Sequence, residues 1–281
     1  MSGDGPILSD GATLVRFLFG WPFALFYLAL IAGVLGARVP TPGAAFALWT
    51  TLGALAQIGA QALLLMTFAL RNFAAGSAYA RTEPVAAALL APAMLGDSIA
   101  PGVWLGIAVS VAGVLLVSMT DDVRPLALLR QLRSRAALLG LGSAALFGLS
   151  ATAYRGAALS LGVPETGLDG MMRGAMVNSS AIILQTILMS AWVTWREPEQ
   201  WQAVRRAWKP SLLVGFVGAT ASLGWFAAFA LQGAAVVKAV AQVEMVLAIA
   251  TSAFVFRERV RASEVAGAGL IACGVILLLA L

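Results

Sequence analysis

Apolar runs of roughly 20 residues recur along the whole chain, separated by short polar connections. That is the length a helix needs to cross a hydrocarbon core about 30 Å thick. Nine runs can be marked: 12–36, 46–70, 73–95, 101–119, 136–160, 170–195, 210–231, 233–256 and 263–281. In lipid, backbone polar groups must be satisfied within a helix or a closed barrel. These runs are too long and too continuously apolar for barrel strands, so the expected fold is an all-α integral membrane protein.

Composition excludes the main alternatives. Of the 281 residues, 60% are hydrophobic and only 11% charged, against about 25% charged in soluble domains. A net charge of +5 might suggest a nucleic-acid partner, but the 16 Arg and 2 Lys lie mostly in the short connections. Basic connections follow from the positive-inside rule, so no nucleic-acid partner is expected. Histidine is absent and Cys273 is the one cysteine. No intramolecular disulfide, metal centre or cofactor is therefore expected. The opening residues MSGDGPILSDG are polar and acidic, unlike a secretory signal peptide, so insertion would use the first span itself.

The chain also repeats itself. Displaced by 161 residues, 68–116 aligns with 229–277 without a gap, and thirteen of the 49 paired positions are identical. Only five of those are alanine, and rare residue types coincide: Glu83 meets Glu244, Gly106 meets Gly267, Gly113 meets Gly274, and Asp97 meets Glu258. The paired segments lie five spans apart, an odd number, so the second copy runs through the membrane upside down. Inverted repeats of this kind characterise secondary transporters, whose substrate sites lie near the midplane.

Charge gives an orientation. One side receives Arg71, the four Arg of 124–135, Arg196, Arg205, Arg206, Lys209 and the three Arg of 257–261. The other receives Arg38 with acidic Glu165 and Asp169. The basic side is expected to be cytoplasmic, with the C-terminus outside.

Ionisable groups at mid-depth cost at least about 2.5–3.5 kcal/mol on insertion scales, so they face a cavity or a partner. Arg81 and Glu83 share one span, Lys238 and Glu244 its repeat mate, and Arg155 lies late in the fifth. On a continuous helix Arg81 would lie about 160° from Glu83, with Tyr79 on the glutamate's face. In the second copy Gln242 takes the place of Arg81, and Lys238 that of Ser77. The functional reading has Glu83 and Glu244 flanking a cavity, exchanging a proton or binding an amine, while Arg81, Lys238 or Arg155 receives a carboxylate. The structural alternative pairs these groups across helices as a lock between the copies. Tyr154, Asn178, Trp225 and Gln61 are further candidates for lining a cavity, although Tyr and Trp also serve as interface anchors. Arg16 and Arg173 open equivalent spans and are expected to snorkel to the interface. Gly102, Gly106 and Ser110, echoed by Ser263 and Gly267, follow small-xxx-small spacing, which serves packing within the chain or between copies equally well.

Several segments in order resemble the EamA-like branch of the drug/metabolite transporter superfamily. They are Arg16–Phe17 opening a span, YARTEPVAAALLAPAMLGD at 79–97, WLGIAVSVAGVLLVS at 104–118, AYRG at 153–156 and EVAGAGLIACGVILLL at 264–279. The resemblance implies two inverted five-helix repeats, here 1–119 and 136–281 joined by the basic connection 120–135. Two departures stand out. The chain shows nine spans where the family has ten, as though it began after the first helix, and Met245 follows Glu244 where Pro84 follows Glu83.

The resemblance further implies a secondary transporter in a bacterial inner membrane, exporting a small metabolite or drug, amino-acid-like or amphiphilic, with H+ as a coupling partner. Two other classes compete. One is a non-transporting membrane assembly partner. The other is an intramembrane lipid-modifying enzyme, which would need paired Asp-rich clusters; here Asp121–Asp122 is the one such pair.

Overall fold

The computed structural model describes residues 9–70, 73–118, 132–163, 167–257 and 260–280. Arg71, Glu165, Glu258, Arg259 and most of the basic connection, with Asp121, Asp122, Arg124 and Arg130, lie outside the described residues. Thirteen helices and no strand occur among the described residues. They are α1 (Ser9–Leu18), α2 (Trp21–Gly33), α3 (Ala44–Phe68), α4 (Phe73–Ala80), α5 (Glu83–Leu95), α6 (Pro101–Val117) and α7 (Arg135–Leu159). They continue with α8 (Gly167–Arg196), α9 (Gln200–Arg206), α10 (Trp208–Leu231), α11 (Ala234–Val240), α12 (Val243–Phe254) and α13 (Ala262–Leu279).

Every expected span is helical, and seven helices are long and apolar enough to cross a membrane, with Pro101–Val117 a shorter apolar helix. Three features depart from the expected pattern. The first span turns at Phe19–Gly20 between α1 and α2. The spans expected over 73–95 and 233–256 are each broken, into α4 and α5 and into α11 and α12. The connection 196–209 contains α9, which turns Gln200 and Val204 inward at i, i+4 spacing.

The described residues pack as two compact units, those within 1–55 and 153–231 and those within 56–152 and 232–281, and the division falls within α3 and in the last third of α7. In the first unit α8 is the spine. Gly174 brings it against α10 so closely that a Cβ there would lie 2.5 Å from Ala227 Cα. Ser179 Oγ donates to Ala24 O of α2 at 3.1 Å. Tyr27 and Thr220 hydroxyls join α2 to α10 at 2.5 Å, and Phe23 meets Phe216 edge-on at 5.3 Å. Four tryptophans gather around α9: Arg196 lies over both Trp192 and Trp195, Lys209 over Trp208, and Trp201 Nε1 donates to Thr194 Oγ1. Such aromatic and basic groups anchor helix ends at a membrane interface.

The second unit contains both aligned repeat segments apart from 229–231. Its centre is the crossing of α6 and α13, which run antiparallel: Gly106 meets Gly274 and Leu278, while Gly113 meets Gly267 and Ile271. A Cβ on Gly113 would lie 2.7 Å from Gly267 O, and one on Gly274 2.8 Å from Gly106 O. The shift of 161 residues turns each of these contacts into the other, so the small-residue spacing marks a two-fold crossing. Backbones approach this closely only without side chains between them. The helix ends repeat too. Gly96 ends α5 with φ +71°, and its equivalent Arg257 follows α12 with φ +56° although it is not glycine.

Candidate functional site

The break between α4 and α5 follows from Pro84. Proline lacks an N–H and clashes with the carbonyl four residues back, so it is tolerated only in the first turn of a helix. Arg81 and Thr82 fall between the two helices, and Thr82 N and Oγ1 both turn back to Tyr79 O. The second copy breaks one residue ahead of the equivalent place, at Ala241–Gln242, without a proline. There Gln242 N reaches Ala239 O and Met245 N reaches Gln242 O, the tighter three-residue step. Side chains serve carbonyls around the breaks: Ser110 Oγ donates to Ala239 O at 3.3 Å, and Gln242 Nε2 to Arg81 O at 3.4 Å. Irregular backbone at membrane depth is tolerated where other protein groups satisfy it in this way.

Each break places a glutamate in the first turn of the following helix, Glu83 in α5 and Glu244 in α12. A carboxylate there lies near the positive end of the helix dipole. Each also meets a cation from the other copy. Arg81 Nη1 donates to Glu244 Oε1, and Lys238 Nζ donates to Glu83 Oε2 at 3.2 Å. The two pairs are unequal. Lys238 and Glu83 side chains are 12% and 18% exposed, Arg81 and Glu244 37% and 58%. Lys238 also lies over the Phe147 ring of α7 at 5.5 Å. Under the repeat shift the Arg81–Glu244 contact maps onto Gln242 and Glu83, and Lys238–Glu83 maps onto Ser77 and Glu244. The geometry is two-fold while the cations are not: one copy carries its charge two residues before the glutamate, the other six.

Reading each span as one continuous helix led to a different arrangement. The breaks invalidate the 160° separation of Arg81 from Glu83, because Arg81 sits in the turn itself. Tyr79 is buried on the α4 face that meets α7, where its Cβ lies 2.8 Å from the place a Gly140 Cβ would occupy. Gln242 is buried at the second break. Gln61 is half-buried on α3 in the same unit.

Tyr154, Arg155, Asn178 and Trp225 belong to the other unit. Arg155 Nη1 donates to Phe229 O at 3.2 Å, in the last turn of α10, where unpaired carbonyls favour a cation. Tyr154 is buried edge-on to Phe226 at 4.6 Å and accepts from Gln185 Nε2 at 3.3 Å. Gln185 was not singled out from the sequence, although a carboxamide in mid-span is itself a signal. Trp225 stacks at 5.7 Å on Phe229, and Asn178 is fully buried on α8. Neither arginine that opens a span reaches out to the interface as expected. Arg16 lies along Gly218 and donates to Ser222 Oγ at 3.4 Å, while Arg173 is only 4% exposed.

The comparisons with known proteins agree with this architecture. A solved structure described only as a crystal structure of a protein is similar over 99% of this chain and 91% of that one, with a TM-score of 0.71. Identity is 14%, so the likeness is one of fold alone. No curated protein matches. Residues 134–280, more than half of the chain, match the model of the EamA-like transporter family. This multi-pass membrane protein belongs to the EamA-like transporter family of the drug/metabolite transporter superfamily.

Proposed function

We propose that the protein is a secondary transporter, not an enzyme, that exports a small metabolite or drug across a bacterial inner membrane by alternating access, with H+ as the coupling ion. The observation that carries this reading is the matched pair of helix breaks, each holding a glutamate that meets a cation of the opposite copy. Discontinuous helices at equivalent positions of inverted repeats are where secondary transporters bind substrate and coupling ion. In this reading the repeats are 1–119 and 136–281, joined by 120–135, with the basic connections cytoplasmic. Glu83 and Glu244 exchange their cation partners for substrate or proton, and Arg81 and Lys238 hold the carboxylates between these events. Tyr79 and Gln242 shape the two breaks. Tyr154, Asn178, Trp225 and Arg155 are further uncharged and cationic substrate contacts in this reading.

The test uses purified protein in liposomes with an imposed pH gradient and a panel of labelled amino acids and amphiphilic amines. Gradient-driven flux is expected for a member of the panel, and Glu83→Gln and Glu244→Gln, reconstituted at equal levels, each abolish it. Wild-type flux in both variants would reject these glutamates as the site.

A further inference from the structure

The end of α8, helix α9 and the start of α10 form an exposed patch of aromatic rings and cations. Arg196 lies over Trp192 and Trp195 at 5.6 and 5.5 Å, and Lys209 lies over Trp208 at 5.7 Å. Trp195 is 72% exposed and Trp208 52%, so these cations are held against rings that the protein leaves uncovered. Trp201 Nε1 donates to Thr194 Oγ1 at 3.0 Å, which ties the start of α9 to the last turns of α8. Helix α9 buries Gln200 and Val204 and exposes Gln202, Arg205 and Arg206, the layout of a short helix lying in an interface rather than crossing it. The patch does not neutralise its own charge. Glu197 and Glu199 lie between the cations in sequence, yet Arg196, Arg205 and Lys209 meet no carboxylate among the described residues. Glu197 instead turns Oε2 into the protein, where the atom is buried. Elsewhere an exposed arginine does find an acid: Arg261 meets Glu264, three residues on, at 2.7 Å. A cation held against an indole gives up part of its hydration, and tryptophan settles at the depth of lipid headgroups. At that depth the anion on offer is a lipid phosphate.

We propose that the patch from Trp192 to Lys209 is a binding surface for acidic phospholipid headgroups, with Arg196, Arg205 and Lys209 donating to phosphate oxygens. Charge-assisted hydrogen bonds of this kind are the strong ones. The proposal goes beyond the transport reading and stands or falls without it. Each basic group near an acidic headgroup layer strengthens attachment about fivefold, so three account for roughly a hundredfold. The experiment follows the melting temperature of the full-length protein in neutral detergent, titrated with phosphatidylglycerol or with phosphatidylcholine of the same acyl chains. Phosphatidylglycerol is expected to raise it saturably and phosphatidylcholine to leave it unchanged. The rise should shrink in high salt, because the cations are exposed. Glycerol phosphate at equal concentration distinguishes a free phosphate from a lipid headgroup, and should give no shift. Arg196→Gln, Arg205→Gln and Lys209→Gln together should keep the lipid-free melting temperature and lose roughly a hundredfold in apparent affinity for phosphatidylglycerol. Arg133→Gln, Arg135→Gln and Arg261→Gln together remove equal charge elsewhere and should keep the wild-type response. Should the patch variant melt lower without lipid, Lys209→Gln alone carries the test, with a loss of about fivefold. The proposal is overturned if the two lipids act equally, if neither shifts the protein, or if glycerol phosphate reproduces the shift. It is also overturned if the patch variants keep wild-type affinity, or if the charge-matched variant loses as much.

Discussion

Replacing Lys238 with methionine keeps an apolar stem against Phe147 and removes the charge facing Glu83. At 3.2 Å the attraction between unit charges is about 5 kcal/mol for an effective dielectric of about 20. Both side chains are less than a fifth exposed, so solvent does little to screen the carboxylate left behind. Breaking a buried pair from one side costs about 3–5 kcal/mol, whereas removing both charges is often nearly neutral. Lys238→Met and Glu83→Gln should therefore each destabilise strongly, and the double variant should recover most of the loss. The outer pair is more than a third exposed on both sides, and Arg81→Met with Glu244→Gln should show a coupling below about 1 kcal/mol. The assay is SDS unfolding from detergent micelles, followed by circular dichroism, as two double-mutant cycles. A coupling for Lys238–Glu83 within about 0.5 kcal/mol of zero, or below that of the outer pair, would refute the ranking of the pairs by burial. Flux by the stability-restored double variant separates a lock from a working site: a lock alone would restore it.

Gly113→Ala places a Cβ 2.7 Å from both Gly267 O and Ile271 N, and should cost about 1–3 kcal/mol or more as the helices separate. Gly269→Ala, on the same α13 with open space around it, should be neutral or gain up to about 1 kcal/mol from helix propensity; unfolding of the two side by side checks the contrast. Arg257→Gly relieves a left-handed residue at φ +56° and should stabilise by about 1 kcal/mol in the same assay. Tyr154→Phe removes the acceptor that Gln185 uses and should cost about 0.5–1.5 kcal/mol, read as a lower unfolding midpoint.

The helices were legible because lipid leaves the backbone few choices, and run length alone locates spans to within a few residues. What run length could not show was where a span is interrupted. Pro84 was visible, but a proline inside an apolar run is common in membrane helices, and the Ala241–Gln242 break has no residue that announces it. At that break Ser110 Oγ serves Ala239 O, while Gln242 Nε2 serves Arg81 O at the other. Those contacts join residues more than 100 positions apart. Helix α9 was hidden for a different reason: seven residues rich in Arg and Gln read as a connection until tertiary packing turns Gln200 and Val204 inward.

The five charged candidates were picked out by their depth in apolar runs, and four of them meet in one unit. Pairing across the copies is the structural alternative stated from the sequence, and the ion pairs match it. Treating each span as a rigid rod, which ties every side chain to neighbours on its own helix, hides only which cation meets which carboxylate. A two-fold crossing reverses that logic. When two equivalent helices run antiparallel and both break before a glutamate, the residues ahead of one break face the glutamate behind the other. The repeat thus contained the rule that each carboxylate is served by the opposite copy. Arg81 lies two positions ahead of Glu83 and Lys238 six ahead of Glu244, so the same rule gives the carboxylates partners of different reach. Arg81 stays in the turn and leaves its pair open, while Lys238 starts more than a turn back along α11 and draws Glu83 inward. A symmetric backbone carrying asymmetric charges gives two carboxylates of one repeat two environments, and in the proposed transport cycle that difference would let the exposed pair open while the buried pair holds.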